Sequence, residues 1–193
     1  QQKENRSDAG FTVSASYNAS NGAKSNPTAG GLGATGSKAR INTQIAYGSP
    51  QWNLSAAYQY AQAGAFKGYG TSLGQANYYI NSSGALVKGS YSDVNSVALR
   101  AWWQPKKSGW MPSVSAGWGL SSFSGPASNV GTDLSYSSTS QNWFVGLNWK
   151  DAFMKGNLLG AAIAQSNFKT SMKNYGSDNG ARDGNYSMEL YYQ

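Results

Sequence analysis

The sequence contains no cysteine and no histidine. Disulfides are therefore excluded, and so are thiolate or imidazole zinc sites and the usual His-based catalytic arrangements. Proline occurs only 5 times in 193 residues. Charged residues make up 12%, against a globular norm of about 25%. No stretch approaches the roughly 18 consecutive apolar residues of a transmembrane helix. The net charge of +7 is spread thinly, and no basic run exceeds Lys106-Lys107, so nucleic acid is not expected as a partner. The polar segment from Gln1 to Asp8 is no signal peptide. An export signal is expected to lie outside this sequence.

Against these absences stand 29 serines and 24 glycines, together with 7 Trp, 13 Tyr and 6 Phe. Chains rich in Ser and Gly are commonly disordered, but disordered chains are poor in aromatics. With so few charges, uncharged polar residues must supply the wetted surface.

The dominant periodicity is two. Apolar or aromatic residues alternate with small polar ones in eight segments, near residues 10–19, 39–48, 51–62, 95–104, 110–121, 140–150, 156–166 and 185–193. The third reads Trp52, Leu54, Ala56, Tyr58 and Tyr60 on one face, with Gln51, Asn53, Ser55, Ala57 and Gln59 on the other. The segment from Asn157 to Gln165 is the least regular, because Leu158, Ala162 and Ala164 blur its polar face.

Connections alternate as well. Those at Gly48-Ser49-Pro50, Pro105 to Gly109 and Asp151 to Gly156 are short. Those from Ala19 to Ala39, Ala61 to Asn95, Ser121 to Ser140 and Ser166 to Gly184 are long and rich in turn-forming residues. Short and long connections in strict alternation predict an all-β, antiparallel up-and-down meander with its long loops at one end. Transmembrane β-barrels have this layout.

Aromatic positions give a second test. Tyr47, Trp52, Trp103, Trp110, Trp149 and Tyr192 fall at the short-turn end of the apolar face, and Tyr17, Tyr58, Trp118, Trp143 and Tyr186 at the long-loop end. Val, Leu, Ile and Ala lie between. Trp and Tyr favour the two membrane interfaces, so two aromatic girdles around an apolar band of roughly 25 Å are the membrane-barrel pattern. A soluble β-sandwich or solenoid also alternates, but has no reason to gather bulky aromatics at strand ends. On this phase Trp52, Leu54, Val97, Leu99, Trp103, Val114, Trp118, Val145 and Leu147 face lipid. Ser55, Arg100, Ser113, Ser115, Gly117, Asn142 and Asn148 face water.

Two stretches carry a resemblance. One is Val97-Ala98-Leu99-Arg100-Ala101-Trp102-Trp103-Gln104-Pro105 leading into Met111 to Gly119. The other is Ser140 to Asn157, with Lys150-Asp151-Ala152-Phe153 at its turn. They resemble the carbohydrate-selective porin (OprB-like) family, especially its cyanobacterial branch of iron uptake porins. The match covers most of residues 94–165. The resemblance implies a barrel of about sixteen strands in the outer membrane of a Gram-negative-type, cyanobacterial cell. This chain, residues 1–193, would be one membrane segment of it, an internal piece without a cell-wall-binding domain. It also implies a water-filled channel for sugars, inorganic ions or iron, in contact with outer-membrane lipid; the oligomeric state stays open, a homotrimer being common among porins.

No catalytic constellation emerges, and no cofactor or metal is expected. Gly30-Gly31-Leu32-Gly33 precedes no helix signal, so it is no phosphate loop. Asp178 and Asp183 lie in a Gly- and Asn-rich loop, where solvated charge is the expected role. Arg40, Arg100 and Glu189 project from strands on the water-facing side. Lys67 and Lys88 belong to the Ala61–Asn95 connection. Its clusters Tyr78-Tyr79-Ile80 and Ala85-Leu86-Val87 suit packing against an inner wall. Folded inward, that connection would constrict a pore lined by these five charged residues, with a preference for anions. An extracellular flap is the alternative for the connection. A non-transport barrel that presents its loops, an adhesin or a structural protein, is the alternative for the whole.

Overall fold

The structure, a computed structural model, describes residues 9–26, 28–62, 64–65, 70–71, 74, 78–80, 83, 85–88, 93–107, 109–124, 136–173 and 184–193. Its strands are β1 (Gly10–Ala19), β2 (Ala39–Ser49), β3 (Trp52–Gln62), β4 (Tyr78–Ile80), β5 (Leu86–Lys88), β6 (Asp93–Trp103), β7 (Ser113–Phe123), β8 (Tyr136–Lys150), β9 (Leu158–Lys173) and β10 (Tyr186–Tyr192). Among the described residues a single 3₁₀ turn, Thr35–Ser37, precedes β2.

Eight strands form one antiparallel sheet in the order β1-β2-β3-β6-β7-β8-β9-β10. The chain runs up and down with no crossover, and β4 and β5 make a separate hairpin within the Ala61–Asn95 connection. The sheet is not closed. β1 occupies one edge and β10 the other, and they are not paired with each other.

All eight expected segments are strands, with shifts at the ends. β7 starts at Ser113, so Trp110 lies in the β6–β7 connection and not on the strand. Met111-Pro112 explains the late start, because Pro112 has no N–H to give the ladder. β8 and β9 extend to Tyr136 and Lys173, past their expected long-loop ends at 140 and 166.

The short turns have local chemistry that enforces them. In the β8–β9 turn Asp151 and Phe153 adopt left-handed φ values of 56° and 62°, and Gly156 has φ 95°. Asp151 Oδ1 accepts a 2.7 Å hydrogen bond from the Gly156 N–H, and the Asp151 N–H donates to the Asn157 carbonyl at 2.7 Å. Asp tolerates that region because its side chain can bond nearby backbone.

Candidate functional site

Cross-strand register sorts the sheet into two chemically different faces. One row joins Trp52, Trp103, Val114, Leu147, Ala161 and Leu190 across six strands. The next joins Phe11, Tyr47, Leu54, Ala101, Ala116, Val145, Ile163 and Met188 across all eight. No charged residue stands in these rows. This apolar face is bare: Leu54 is 57% exposed and Leu99 54%, although both belong to central strands.

Its aromatic ends drift coherently. On β1 and β2 the band runs from Phe11 and Tyr47 to Tyr17 and Ile41. On β8 and β10 it runs from Trp149 and Tyr192 to Trp143 and Tyr186. Traced through the register, both ends slide by four residues in the same direction between β1 and β10. That is about 13 Å of rise over about 34 Å of sheet width, a slope of roughly 20°. The strands thus cross a band of constant height obliquely, as tilted strands do.

The polar tips of the girdle aromatics are hydrogen-bonded, several of them to groups nearer the strand ends. At the long-loop end Trp118 Nε1 donates to Gln141 Oε1 (3.1 Å) and Trp143 Nε1 to Gln165 Oε1 (3.0 Å). Tyr58 Oη donates to Asn95 Oδ1 (2.6 Å), and Tyr17 Oη accepts from the Gly33 N–H (3.1 Å). At the short-turn end Trp149 Nε1 donates to the Trp110 carbonyl (2.8 Å), and Asn157 Nδ2 donates to Tyr192 Oη. Trp110 itself is 84% exposed, beyond the end of β7. Phe11, not expected among the girdle residues, stacks on Tyr47 with ring centroids 4.4 Å apart.

The opposite, inner face is polar and small. One of its rows reads Ser16, Asn42, Gln59, Ser96, Ser121 and Ser140. Asn42 links Ser16 Oγ (3.1 Å) with Gln59 Nε2 (2.6 Å), and the Ser96 and Ser121 hydroxyls are 2.8 Å apart. A cavity of about 550 Å³ is lined by Asn42, Gln59, Ser96, Ser121, Asn142 and Asn167, among others. Two inner aromatics lie along the wall over glycines of the neighbouring strand, Phe144 over Gly117 and Tyr191 over Gly160.

Part of the connection after β3 traverses this sheet. Arg40 donates to the carbonyl of the buried Ala65. Further on, Thr71 donates its N–H to the Asn167 carbonyl (3.0 Å), and Gly70 forms a parallel bridge with Asn167. Asn167 belongs to β9, four strands away from β3 in the sheet. β4 in turn approaches β8. Between these anchors an inner-face stripe is buried: Ala61 (0% exposed), Val94 (3%), Phe123 (5%), Ser121, Ser140 and Asn167. β9 adjusts with a bulge beside Gln141 and Trp143, and the bulge brings Asn167 to the Asn142 amide.

The charged residues expected in the wall are dispersed. Arg40 is half-buried at the foot of the crossing connection. Arg100 is exposed in mid-sheet between Ser55 and Gly117. Glu189 is exposed on β10 opposite Ala162. Arg40 and Arg100 are separated by two strands and six residues, roughly 22 Å. Lys88 is in β5, but its side chain lies outside the described residues, as do Lys67, Asp178 and Asp183.

No family model matches the chain, and no curated protein or solved structure is similar to it.

Proposed function

We propose that this chain forms wall of an outer-membrane porin, a water-filled channel for passive diffusion of small hydrophilic solutes and ions. The observation that carries the reading is the bare apolar face between two aromatic rims. Six residues of height and eight strands of width make an apolar patch of roughly 20 by 34 Å, or about 680 Å². The largest patch on a typical soluble monomer is roughly 300–600 Å². Hydrocarbon is the solvent that suits such a face, and the hydrogen-bonded indole and phenol groups suit the headgroup level.

In that setting the edges of β1 and β10 cannot stay unpaired, because hydrocarbon offers no hydrogen bonds to their backbone groups. We take further strands to pair with them and complete a barrel of about sixteen. An eight-stranded barrel has its interior filled by side chains. Here the inner rows are mostly Ser, Ala, Gly, Asn and Gln, too small to fill one. The crossing connection then narrows the passage, with Arg40 holding its foot and Arg100 giving the wall positive charge. The resemblance noted in the sequence favours the same function and a cyanobacterial outer membrane.

The test is conductance of the purified protein in a planar bilayer, combined with aqueous thiol labelling of Leu99→Cys and Ala98→Cys. Discrete conductance steps are expected, with labelling of Ala98→Cys alone. A well-inserted protein that conducts nothing would favour a barrel that only presents its loops.

A further inference from the structure

We propose that the inner face carries a binding site for a small tetrahedral oxyanion, such as free phosphate, at its short-turn end. Lys106, Lys150, Ser113 and Asn148 form the site, which goes beyond the channel reading and does not require passage of solute. The four side chains line a cavity of about 170 Å³, together with Gln104 and Met111. Ser113 and Asn148 are directly paired between β7 and β8. Lys150 stands two residues further along β8 on the same face, and Lys106 comes from the β6–β7 connection.

The donor set selects an anion. The two ammonium groups can only donate, and a serine hydroxyl can turn to donate. Tyr191 Oη donates to Asn148 Oδ1, which leaves the Asn148 NH₂ with donors to offer. Tyr191 approaches from the β10 side, so the Asn148 NH₂ is left to the side of β7, where Ser113 stands. No carboxylate lines the cavity, and neither lysine has an ion-pair partner among the described residues. Asp151 follows Lys150 in the turn, where its Oδ1 accepts from the Gly156 N–H, and Glu189 is on β10, two residues out of the Asn148 row. Hydrogen bonds between charged donors and an anion are roughly twice as strong as neutral ones.

Size narrows the ligand further. A cavity of about 170 Å³ takes a phosphate-sized ion together with some water. A lipid phosphate has similar chemistry, but Ser113, Asn148 and Lys150 alternate away from the face that bears Trp103, Val114, Leu147 and Trp149. The source is therefore the free ion in solution.

Equilibrium dialysis of the detergent-solubilised full chain against radiolabelled inorganic phosphate tests the site. Saturable binding near one ion per chain is expected, and the double variant Lys106→Gln/Lys150→Gln should lose at least tenfold in affinity. Exposed Lys→Gln changes barely alter stability, so the fold should survive, as its circular dichroism will report. Lys24→Gln/Lys38→Gln, at the other end, should bind like the parent. Tyr191→Phe, which lets the Asn148 amide turn, should weaken binding by a few-fold, the weight of about one hydrogen bond. Absence of saturable binding, or equal binding by the Lys106/Lys150 double variant, overturns the proposal. Displacement of phosphate by phosphatidylglycerol micelles assigns the site to a headgroup and overturns the free-ion assignment. A protein that conducts without binding phosphate keeps the channel and loses this site, and the converse result separates them the other way.

Discussion

Tyr191 on β10 lies across the backbone of Gly160 on β9 and donates its hydroxyl to Asn148 Oδ1 on β8. The three residues share one register row. A Cβ at position 160 would come within 2.2 Å of Tyr191 ring carbon Cζ, so glycine lets this side chain bridge two strands flat against the wall. Gly160→Ala should therefore displace the ring and destabilise the protein by about 1–3 kcal/mol, the usual cost of overpacking. Urea unfolding in detergent measures this. Ala162→Ser, two residues along the same face, should stay within about 0.5 kcal/mol. If Gly160→Ala is equally neutral, the ring does not hold this position.

The two faces of β6 make opposite predictions for an added charge. Leu99→Arg places a guanidinium in the middle of the apolar band, where Arg costs roughly 2–4 kcal/mol. Ala98→Arg places it on the inner face, beside Ala57 and Gly119. Folding yield into lipid vesicles, scored by protease resistance, should fall sharply for Leu99→Arg and hold for Ala98→Arg. Equal yields would mean that the apolar face does not meet lipid.

The girdle should register at a definite depth. Trp118 and Trp149 each hold an indole N–H partner toward a strand end, and Trp143 bonds its cross-strand neighbour Gln165. In single-Trp variants their fluorescence should be quenched more by lipids brominated near the headgroup than by lipids brominated deep in the chain. Gln165→Leu removes the partner of Trp143. It should cost about 0.5–1.5 kcal/mol, as for a lost hydrogen bond, and red-shift Trp143 emission as the ring seeks water. An unchanged Trp143 spectrum would sink the pairing.

Which parts of this were legible in the sequence follows from how far each signal acts along the chain. A residue's face is a parity, so Leu99 and Arg100 were separable from sequence alone, and a slip of one residue would have exchanged every side chain. The late start of β7 at Ser113 turns on Pro112, a local signal that the aromatic spacing from Trp110 to Trp118 outweighed. Tyr191 over Gly160 and Phe144 over Gly117 are contacts between strands, and neither residue's neighbours in sequence announce them. A glycine at a wall position, once register is known, is the signal that finds them. The Lys106–Lys150 cavity is illegible for the same reason, because its two cations are joined only through the β7–β8 pairing. The blurred polar face of β9 is the inner wall itself, where Gly160, Ala162 and Ala164 follow one another on one face and Gly160 lies under the Tyr191 ring.

The crossing connection yields the last prediction. Gly74 and Gly70 touch the backbone at Asn167, and a Cβ at either would collide with it. Gly70 also has φ +152°, which side chains other than glycine rarely adopt. Gly74→Val should therefore lift the connection from β9, while leaving Arg40 at its other anchor. The sheet does not depend on this contact, because its ladders run through β2 to β9 independently. Stability should then change little while the passage widens. On the proposed channel reading, single-channel conductance should rise, and open-state noise should increase as the released segment moves. Arg40→Ala should act in the same direction through the Ala65 carbonyl, and the two changes together should exceed either alone if the anchors hold one segment from two ends. Deleting residues 70–88 sets the upper limit of the effect. If deletion leaves conductance and ion preference as they were, the connection crosses the wall without narrowing the pore, and Arg40 is an anchor for the sheet alone.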